Sequence, residues 1–291
     1  MKRAAVILLF ILAFAGCGKS AKPGLVVGSK NFTEQAVLAE LMAQHLESKL
    51  GIDVDQRANL GGTLICHEAV RTGEIDLYVE YTGTALTAVL HEEPSTDPSE
   101  VLRRVREGYD RQFGLEVAAP LGFDNSFAIV IRGDDAKRWN IRTLSEAATV
   151  APQWRAGFGY EFMERSDGFP GLARTYGLEL AEPPRLMDLG LLYRALQEKQ
   201  VDVVAGSATD GVIAAQGFVI LEDDKHYFPP YEAVPVVSRK ALERFPALDG
   251  ILRAMSGHIT AEEMRRLNYA IDGEHRDVKE VVRDFLRMKK L

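Results

Sequence analysis

Two short apolar segments, each ending in a small polar turn, constrain the fold of this chain more than any other feature. The first is Ile75–Val79, followed by Tyr81 and Thr84, and the second is Val201–Ala205, followed by Ser207. Each follows an amphipathic helix and has Asp as its second residue, and its length and apolar character indicate a buried strand. Such a repeat in the two halves of the chain predicts two similar lobes facing each other across a cleft. We expect the functional site to lie between these strand ends.

The predicted strands and helices alternate along the chain. Leu25–Gly28 is a short apolar strand and Val54–Leu60 is the next strand, and each is followed by a turn and a helix, which predicts an α/β fold with largely parallel sheets. Two polar, extended segments lie within Gly122–Ile131 and Asp223–Tyr231, and we interpret them as crossovers between the lobes. The helical segment Lys240–Leu291 is then expected to pack on the first lobe.

Composition argues against several classes of function. The chain has 291 residues, 35 basic against 42 acidic, so its charge does not indicate a nucleic-acid partner. Its six histidines are scattered without the spacing of metal ligands. The sequence contains neither a Gly-rich phosphate loop in the required context nor a Gly-x-Ser-x-Gly nucleophile turn. We therefore expect no catalysis, no cofactor and no metal site.

The N-terminus has the pattern of an export signal. A short cationic start precedes the apolar run Ala4–Ala15, and small residues then lead to Cys17. This pattern resembles a lipoprotein signal, which predicts a signal peptide over residues 1–16, lipid on the sulfur of Cys17 and a tether over 17–23. The alternative is an ordinary secretory signal with an incidental cysteine, and either one exports the protein. Cys66 is then the remaining cysteine, so we expect no intrachain disulfide and a buried, inert thiol.

Six motifs occur in an order that indicates a family. They are Ser29–Gln35, Asn59–Thr63, Gly73–Tyr78, Glu80–Thr84, Thr209–Gly211 and Phe228–Tyr231. Together they resemble the substrate-binding proteins of ABC importers for glycine betaine, choline and related osmoprotectants. The resemblance extends from about Gly24 into the C-terminal helices.

The resemblance implies a type II periplasmic-binding-protein fold with two lobes and two crossover segments. Residues 24–124 and 232–291 would form the first lobe, and residues 125–231 the second, with the ligand cleft between them. Such a protein closes on a small solute, here a quaternary ammonium compound or betaine, and delivers it to the permease of an ABC transporter. We expect a monomer held by its lipid anchor in the periplasm or on the outer face of the membrane.

The resemblance also implies a set of ligand-binding residues. In the family, aromatic rings surround a quaternary ammonium group, and an arginine meets a carboxylate. The matching positions here are Lys30, Tyr81, Thr84, Asn125, Phe127, Arg165, Ser207 and Tyr231. Tyr81 and Tyr231 would be cage tyrosines, Thr84 a hydroxyl contact and Arg165 the carboxylate ligand.

Three positions depart from the family pattern. Phe127 replaces a common tyrosine, Asn125 replaces a common aspartate, and Ser207 stands where many members have another cage tyrosine. The solute could therefore be a different one, such as an amino acid or a larger betaine held mainly by Arg165. A sensory lipoprotein that signals to a receptor is a further alternative.

Most of these residues also have a purely structural interpretation. Tyr81 and Phe127 could belong to the core, and Tyr231 could pack against a hinge. Arg165 could form a surface ion pair with Glu161 or Asp167, and Lys30 could be a solvated loop charge. Asp76 and Asp202 are expected to stabilise the lobes and not to contact the solute.

Overall fold

The computed structural model describes residues 24–291. The predicted signal peptide over 1–16, the predicted lipidation at Cys17 and the predicted tether up to residue 23 lie outside the described residues. None of the helices in the described part of the chain is long and apolar enough to cross a membrane.

Ten strands form the framework of the fold. They are β1 (Leu25–Lys30), β2 (Val54–Gly61), β3 (Leu77–Tyr81), β4 (Leu115–Val117), β5 (Phe127–Arg132), β6 (Ala156–Phe158), β7 (Arg185–Leu186), β8 (Val203–Ser207), β9 (Phe218–Ile220) and β10 (Ala233–Ser238).

Helices connect and cover these strands. They are α1 (Thr33–Leu50), α2 (Thr63–Thr72), α3 (Thr82–Thr84), which continues as a π-helical turn (Ala85–Val89), α4 (Pro98–Phe113), α5 (Gly133–Trp139), α6 (Leu144–Ala147), α7 (Tyr160–Glu164), α8 (Phe169–Tyr176), α9 (Leu192–Gln197), α10 (Val212–Ala215), α11 (Arg239–Arg244), α12 (Leu248–Ala254), α13 (Ala261–Asp272) and α14 (Val278–Lys289). Two short 3₁₀ turns lie at Ala151–Gln153 and Leu189–Leu191.

The strands form two sheets of the same design, one in each lobe. The first has the order β2-β1-β3-β10-β4 and the second the order β7-β6-β8-β5-β9. In each, the first three strands are parallel, and the fourth is antiparallel to both of its neighbours. The expected two-lobed α/β fold is confirmed, and four of the five strands in each sheet run in the same direction, in agreement with the expectation of largely parallel sheets. The antiparallel strands β5 and β10 are the ones that follow a crossover, and each enters its sheet from the other lobe's side.

The two crossover segments run beside each other. The first connects β4 to β5 and the second connects β9 to β10, and an antiparallel bridge joins Asp124 to Glu232. The backbone N–H of Asn125 donates to the carbonyl oxygen of Tyr231 at 3.0 Å. The lobe boundaries at 124/125 and 231/232 stay a prediction, and they fall within this paired region.

Apolar side chains cover both faces of each sheet, as expected for strands buried between helices. In β3, Leu77 and Val79 pack with α1 and the C-terminal helices, whereas Tyr78 packs with α2 and α4. In β5, Ile129 and Val130 face opposite sides of the second sheet. Each lobe therefore has its own core and supports its strand ends independently.

Equivalent aspartates precede the central strands of the two lobes. Asp76 accepts a hydrogen bond from the backbone N–H of Val26 at 2.9 Å and forms an ion pair with Arg244 at 2.8 Å. Asp202 forms an ion pair with Arg132 at 2.7 Å. Their predicted structural role is confirmed. Strands β3 and β8 begin just after these aspartates, two residues later than the sequence predicted.

Cys66 is buried in α2, as predicted. Burial raises the pKa of its thiol to about 12, so the thiolate required for nucleophilic chemistry is scarce near neutral pH.

Candidate ligand site

The predicted site residues meet where the strand ends of the two lobes face each other. Tyr81 is the last residue of β3 and Ser207 the last of β8, and Phe127 lies directly opposite Ser207 in the β5–β8 pair. Asn125 and Tyr231 lie on the paired crossovers. The fold thus brings together residues that are up to 201 positions apart, measured between Lys30 and Tyr231.

Tyr81 is buried, and its hydroxyl is held by two residues of α1. It donates to Oε1 of Glu34 at 2.6 Å and accepts from Nε2 of Gln35 at 3.0 Å. Its ring stacks on Phe32 with 6.4 Å between the ring centroids. The orientation of the ring is therefore fixed by α1, which belongs to the same lobe.

Lys30 lies beneath the Tyr81 ring, with its ammonium nitrogen 5.2 Å from the ring centroid. The residue is only 3% exposed, so the interpretation as a solvated loop charge was wrong. Its ammonium group forms an ion pair with Glu80 and donates to Oγ1 of Thr63 at 3.0 Å. The buried positive charge of Lys30 is thus neutralised within its own lobe.

Arg165 is the cation at the second-lobe side of the site. Its Nε donates to Oδ1 of Asp167 at 2.8 Å, and a second nitrogen donates to Oδ2 at 2.5 Å. Burial disfavours the charged guanidinium, but these contacts with Asp167 dominate and raise the pKa of Arg165. Burial also acts to raise the pKa of Asp167, but the bonds from Arg165 lower it below its usual value. Both groups stay ionised. The predicted ion pair is present, although it is buried and not on the surface.

The guanidinium of Arg165 also contacts aromatic rings and the first lobe. Its central carbon lies 5.1 Å from the centroid of Phe127 and 5.8 Å from that of Tyr231, and the two rings are 5.7 Å apart. A guanidinium nitrogen donates to Oγ1 of Thr84 at 3.0 Å, which links the two lobes. Two rings of the predicted cage therefore have the spacing needed to hold a cation.

Asp167 organises this side of the site, a larger role than the ion pair with Arg165 that was considered from the sequence. Besides Arg165, it accepts hydrogen bonds from the hydroxyl of Tyr231 at 2.6 Å and from Oγ1 of Thr87 at 2.9 Å. The available signal was its position two residues after Arg165 and directly before Gly168, at the start of a turn.

Glu34 was missed altogether. Its carboxylate accepts hydrogen bonds from Tyr81, Asn125, Thr209 and Asn268. Burial raises the pKa of Glu34, and the four hydrogen bonds act in the opposite direction. The available signal was an acidic residue in the first turn of the helix that follows the loop motif.

Asn125 and Ser207 occupy the positions at which the sequence departs from the family pattern. Asn125 donates to Oε1 of Glu34 at 2.8 Å and accepts from the backbone N–H of Thr209 at 3.3 Å. The backbone N–H of Ser207 donates to Oδ2 of Asp210 at 2.8 Å. Tyr193 donates to the same oxygen at 2.5 Å, so a phenol reaches this region from α9.

Polar contacts close the two lobes on each other around the site. Oε1 of Glu161, in α7, accepts from the backbone N–H of Thr63 at 2.6 Å. This places a carboxylate at the N-terminus of α2, where the helix dipole favours negative charge. The two lobes are also joined by the hydrogen bonds of Thr84 with Arg165 and of Glu34 with Thr209, next to the strand ends.

The fold and the motifs agree with comparisons to known proteins. The family described as the substrate-binding domain of ABC-type glycine betaine transport systems matches residues 23–288. This chain belongs to that family. The resemblance found in the six sequence motifs is therefore confirmed, and the protein is a substrate-binding protein of an ABC transport system.

Two relatives of this binding protein match nearly its whole length. A carnitine transport binding protein, OpuCC of Listeria monocytogenes, is 33% identical over 276 residues, which is 94% of this chain and 89% of the relative. A glycine-betaine-binding protein of Pseudomonas aeruginosa is 34% identical over 289 residues, covering 95% of this chain and 92% of the relative. A crystal structure described as a glycine betaine/carnitine/choline ABC transporter superposes with a TM-score of 0.76 at 31% identity, covering 91% of this chain and 98% of that one.

Replacing Asp167 by Asn in this binding protein should destabilise the fold. Arg165 would remain buried without a carboxylate, and breaking such a buried pair costs roughly 3–5 kcal/mol of unfolding free energy. Urea unfolding measures this loss. The matched control is Asp249→Asn, which breaks the exposed ion pair with Arg253 and should cost at most about 1 kcal/mol. Equal losses for the two variants would contradict the central position of Asp167.

Proposed function

We propose that this protein binds a solute carrying a quaternary ammonium group, such as choline, glycine betaine or carnitine, and delivers it to an ABC permease. The observation that carries the proposal is the contact of the Arg165 guanidinium with the rings of Phe127 and Tyr231, at 5.1 and 5.8 Å. These rings are already arranged to hold a cation. A quaternary ammonium over such ring faces gains roughly 0.5–2 kcal/mol per desolvated contact.

The ring of Tyr81 completes the proposed cage from the first lobe. Its hydroxyl is engaged by Glu34 and Gln35, so a solute would contact the part of the ring that Phe32 and Lys30 do not cover. Lys30, Thr84, Asn125 and Ser207 belong to the same proposed site as polar neighbours. Phe127 provides a ring face without a phenol, which suits a methylated ammonium because that group has no N–H to donate.

Arg165 would meet the carboxylate of a betaine. Its planar guanidinium suits bidentate recognition of a carboxylate. Because Asp167 already accepts from two of its nitrogens, a solute carboxylate must share the guanidinium with Asp167 or displace it. A solute without a carboxylate avoids this competition.

Closure of the lobes would be the mechanism of binding. Contacts across the cleft come from both lobes, so a solute that bridges them shifts the equilibrium from open to closed forms. The permease would recognise the closed form. No chemical change of the solute takes part in this mechanism, and the protein is not an enzyme.

An amino acid or a larger betaine is the second candidate for the solute. It is favoured by the same arginine, together with Ser207 and Asn125 in place of residues common in the family. In that case the carboxylate would contribute more to affinity than the cage.

Solute binding is tested directly by a thermal-shift screen of the purified protein, followed by calorimetry. The panel contains choline, glycine betaine, carnitine, ergothioneine and the common amino acids. Free ligand at about 100 times its dissociation constant stabilises the fold by about 2.7 kcal/mol, a clear shift in melting temperature. A shift with amino acids but with no quaternary ammonium compound would overturn the proposal in favour of the second candidate.

Replacing Tyr81 by Ala should abolish binding of choline while the fold is retained, because the variant removes one ring of the cage. Calorimetry measures the affinity, and circular dichroism checks the fold. Tyr160→Ala is the matched control, since Tyr160 is 56% exposed and lies outside the proposed cage. Unchanged affinity in Tyr81→Ala would contradict the cage.

Replacing Arg165 by Ala should weaken the binding of glycine betaine roughly tenfold or more, which is the effect of losing one charge-assisted hydrogen bond. Choline should lose much less, because it has no carboxylate and because the charge of Asp167 becomes free to attract its ammonium group. The ratio of the two dissociation constants is the measurement. Equal losses for both solutes would show that Arg165 does not read a carboxylate.

We further propose that the protein is exported and anchored by lipid on Cys17. In a bacterial host, the native chain should then fractionate with membranes, whereas the Cys17→Ser variant should be found in the soluble fraction. Cys66→Ser is the control and should fractionate as the native chain does. A Cys17→Ser protein that stays with the membranes would rule out this anchor.

A further inference from the structure

Glu34 is a buried carboxylate whose hydrogen-bonding partners are all neutral. The residue is 2% exposed and lies in the first turn of α1. Its Oε1 accepts from the hydroxyl of Tyr81 at 2.6 Å and from Nδ2 of Asn125 at 2.8 Å. Its Oε2 accepts from Oγ1 of Thr209 at 2.5 Å and from Nδ2 of Asn268 at 3.1 Å.

Two pairs of opposite charges at the site cancel. Lys30 is paired with Glu80 and Arg165 is paired with Asp167. Among residues 24–291, Glu34 has no salt bridge to lysine, arginine or histidine within 4.0 Å. Asp210, beside Ser207, and Glu161, beside Thr63, are further carboxylates of the site. Glu34 is the carboxylate that no cation pairs with and that contacts the hydroxyl of Tyr81.

We propose that Glu34 determines the preference of the site for cationic solutes, acting through the ring of Tyr81. Asn125 lacks the negative charge of the aspartate that is common at this position in the family. The structure places the carboxylate of Glu34 within 2.8 Å of the Asn125 amide, so a negative charge is present at almost the same place. This inference rests on the proposed binding of a quaternary ammonium solute.

The hydrogen bond from Tyr81 gives Glu34 a route to the solute. A phenol that donates to a carboxylate becomes richer in electrons, and its ring face then attracts a cation more strongly. The charge itself also acts over the short distance through the ring, since the surrounding protein screens it less than water does. Glu34 therefore needs no direct contact with the solute.

Two features of the local structure favour the charged form of Glu34, although burial outweighs them and raises its pKa. The carboxylate lies in the first turn of an 18-residue helix, where the helix dipole stabilises negative charge. It also accepts four hydrogen bonds, which favour the charged form. Burial opposes the charge, and a cation bound against Tyr81 would offset that cost.

The partners of Glu34 also connect its charge to lobe closure. Tyr81 and Asn268 belong to the first lobe, Thr209 follows β8 of the second lobe, and Asn125 lies on a crossover. The four hydrogen bonds are complete when the lobes are together. The negative charge is therefore fully enclosed in the same form that encloses a solute.

The test is the Glu34→Gln variant, which removes the charge and keeps the shape, measured by calorimetry with choline and glycine betaine. Choline should lose roughly tenfold in affinity, because it carries a net positive charge. Glycine betaine should lose roughly threefold or less, because its carboxylate is relieved of repulsion as its ammonium group loses attraction. Glu40→Gln is the matched control, since Glu40 is a buried carboxylate on the same helix with Gln44 and Gln56 as its neutral partners.

The double variant Glu34→Gln with Asn125→Asp separates charge from structure. In this variant the carboxylate is at residue 125 and the amide at residue 34, two positions that are hydrogen-bonded to each other in the native protein. Choline affinity should return to within about threefold of the native value. A purely structural role of Glu34 predicts no such rescue. Tyr81→Phe gives a second test if Glu34→Gln does not fold, because it keeps the ring but removes the hydroxyl that donates to Glu34. The Tyr81→Phe variant should lose more affinity for choline than for glycine betaine.

Several results would overturn the inference. The inference fails if Glu34→Gln binds choline with the affinity of the native protein. It also fails if Glu34→Gln loses equal affinity for choline and glycine betaine and the double variant does not restore it. Should Glu34→Gln not fold, equal effects of Tyr81→Phe on both solutes would overturn the inference as well. If the native protein binds neither choline nor glycine betaine nor carnitine, the proposed function fails together with this inference. If the native protein binds choline and Glu34→Gln does not alter the affinity, this inference alone fails.

Discussion

The need to pair charges that are buried between two lobes governs the structure around the candidate site. Burying an unpaired charge is so costly that buried ions are held by counterions or by several hydrogen bonds. Lys30 and Arg165 are neutralised by carboxylates, and Glu34 is held by four neutral donors. These contacts orient Tyr81 and Tyr231, because each phenol donates to one of the carboxylates. The carboxylates of Glu34 and Asp167 therefore fix the positions of these two aromatic rings.

The topology of the sheets creates the place where these charges meet. In each sheet four strands run in one direction and one antiparallel strand arrives from a crossover, so strand ends of both lobes are directed at the same cleft. The crossovers are paired with each other and carry Asn125 and Tyr231. Because the crossovers connect the lobes and carry candidate site residues, we expect lobe movement and solute contact to be coupled. Such coupling would suit the proposed role of a transport protein that presents a closed form to its permease.

Much of this arrangement could be predicted from sequence because it depends on local patterns. Apolar segments of strand length and amphipathic helices predicted the two lobes, and the ordered motifs predicted the family. The antiparallel strands were not predicted, since the direction of a strand depends on where the chain enters the sheet. Asp167 and Glu34 were undervalued for a similar reason. An acidic residue in a turn or in the first turn of a helix is usually solvated, and nothing near it in the sequence shows that it will be buried.

The sequence by itself determined the secondary structure elements, the repeat of the strand-end units and the family to which the chain belongs, because periodicity and motifs are encoded within short stretches. Only the tertiary structure decided which charges face each other. Glu34 and Thr209 are 175 residues apart, and their contact exists because the two lobes close. The same is true of Thr84 and Arg165. Electrostatic partnership and burial depend on distances in space, and these are fixed only when both lobes are folded and in contact.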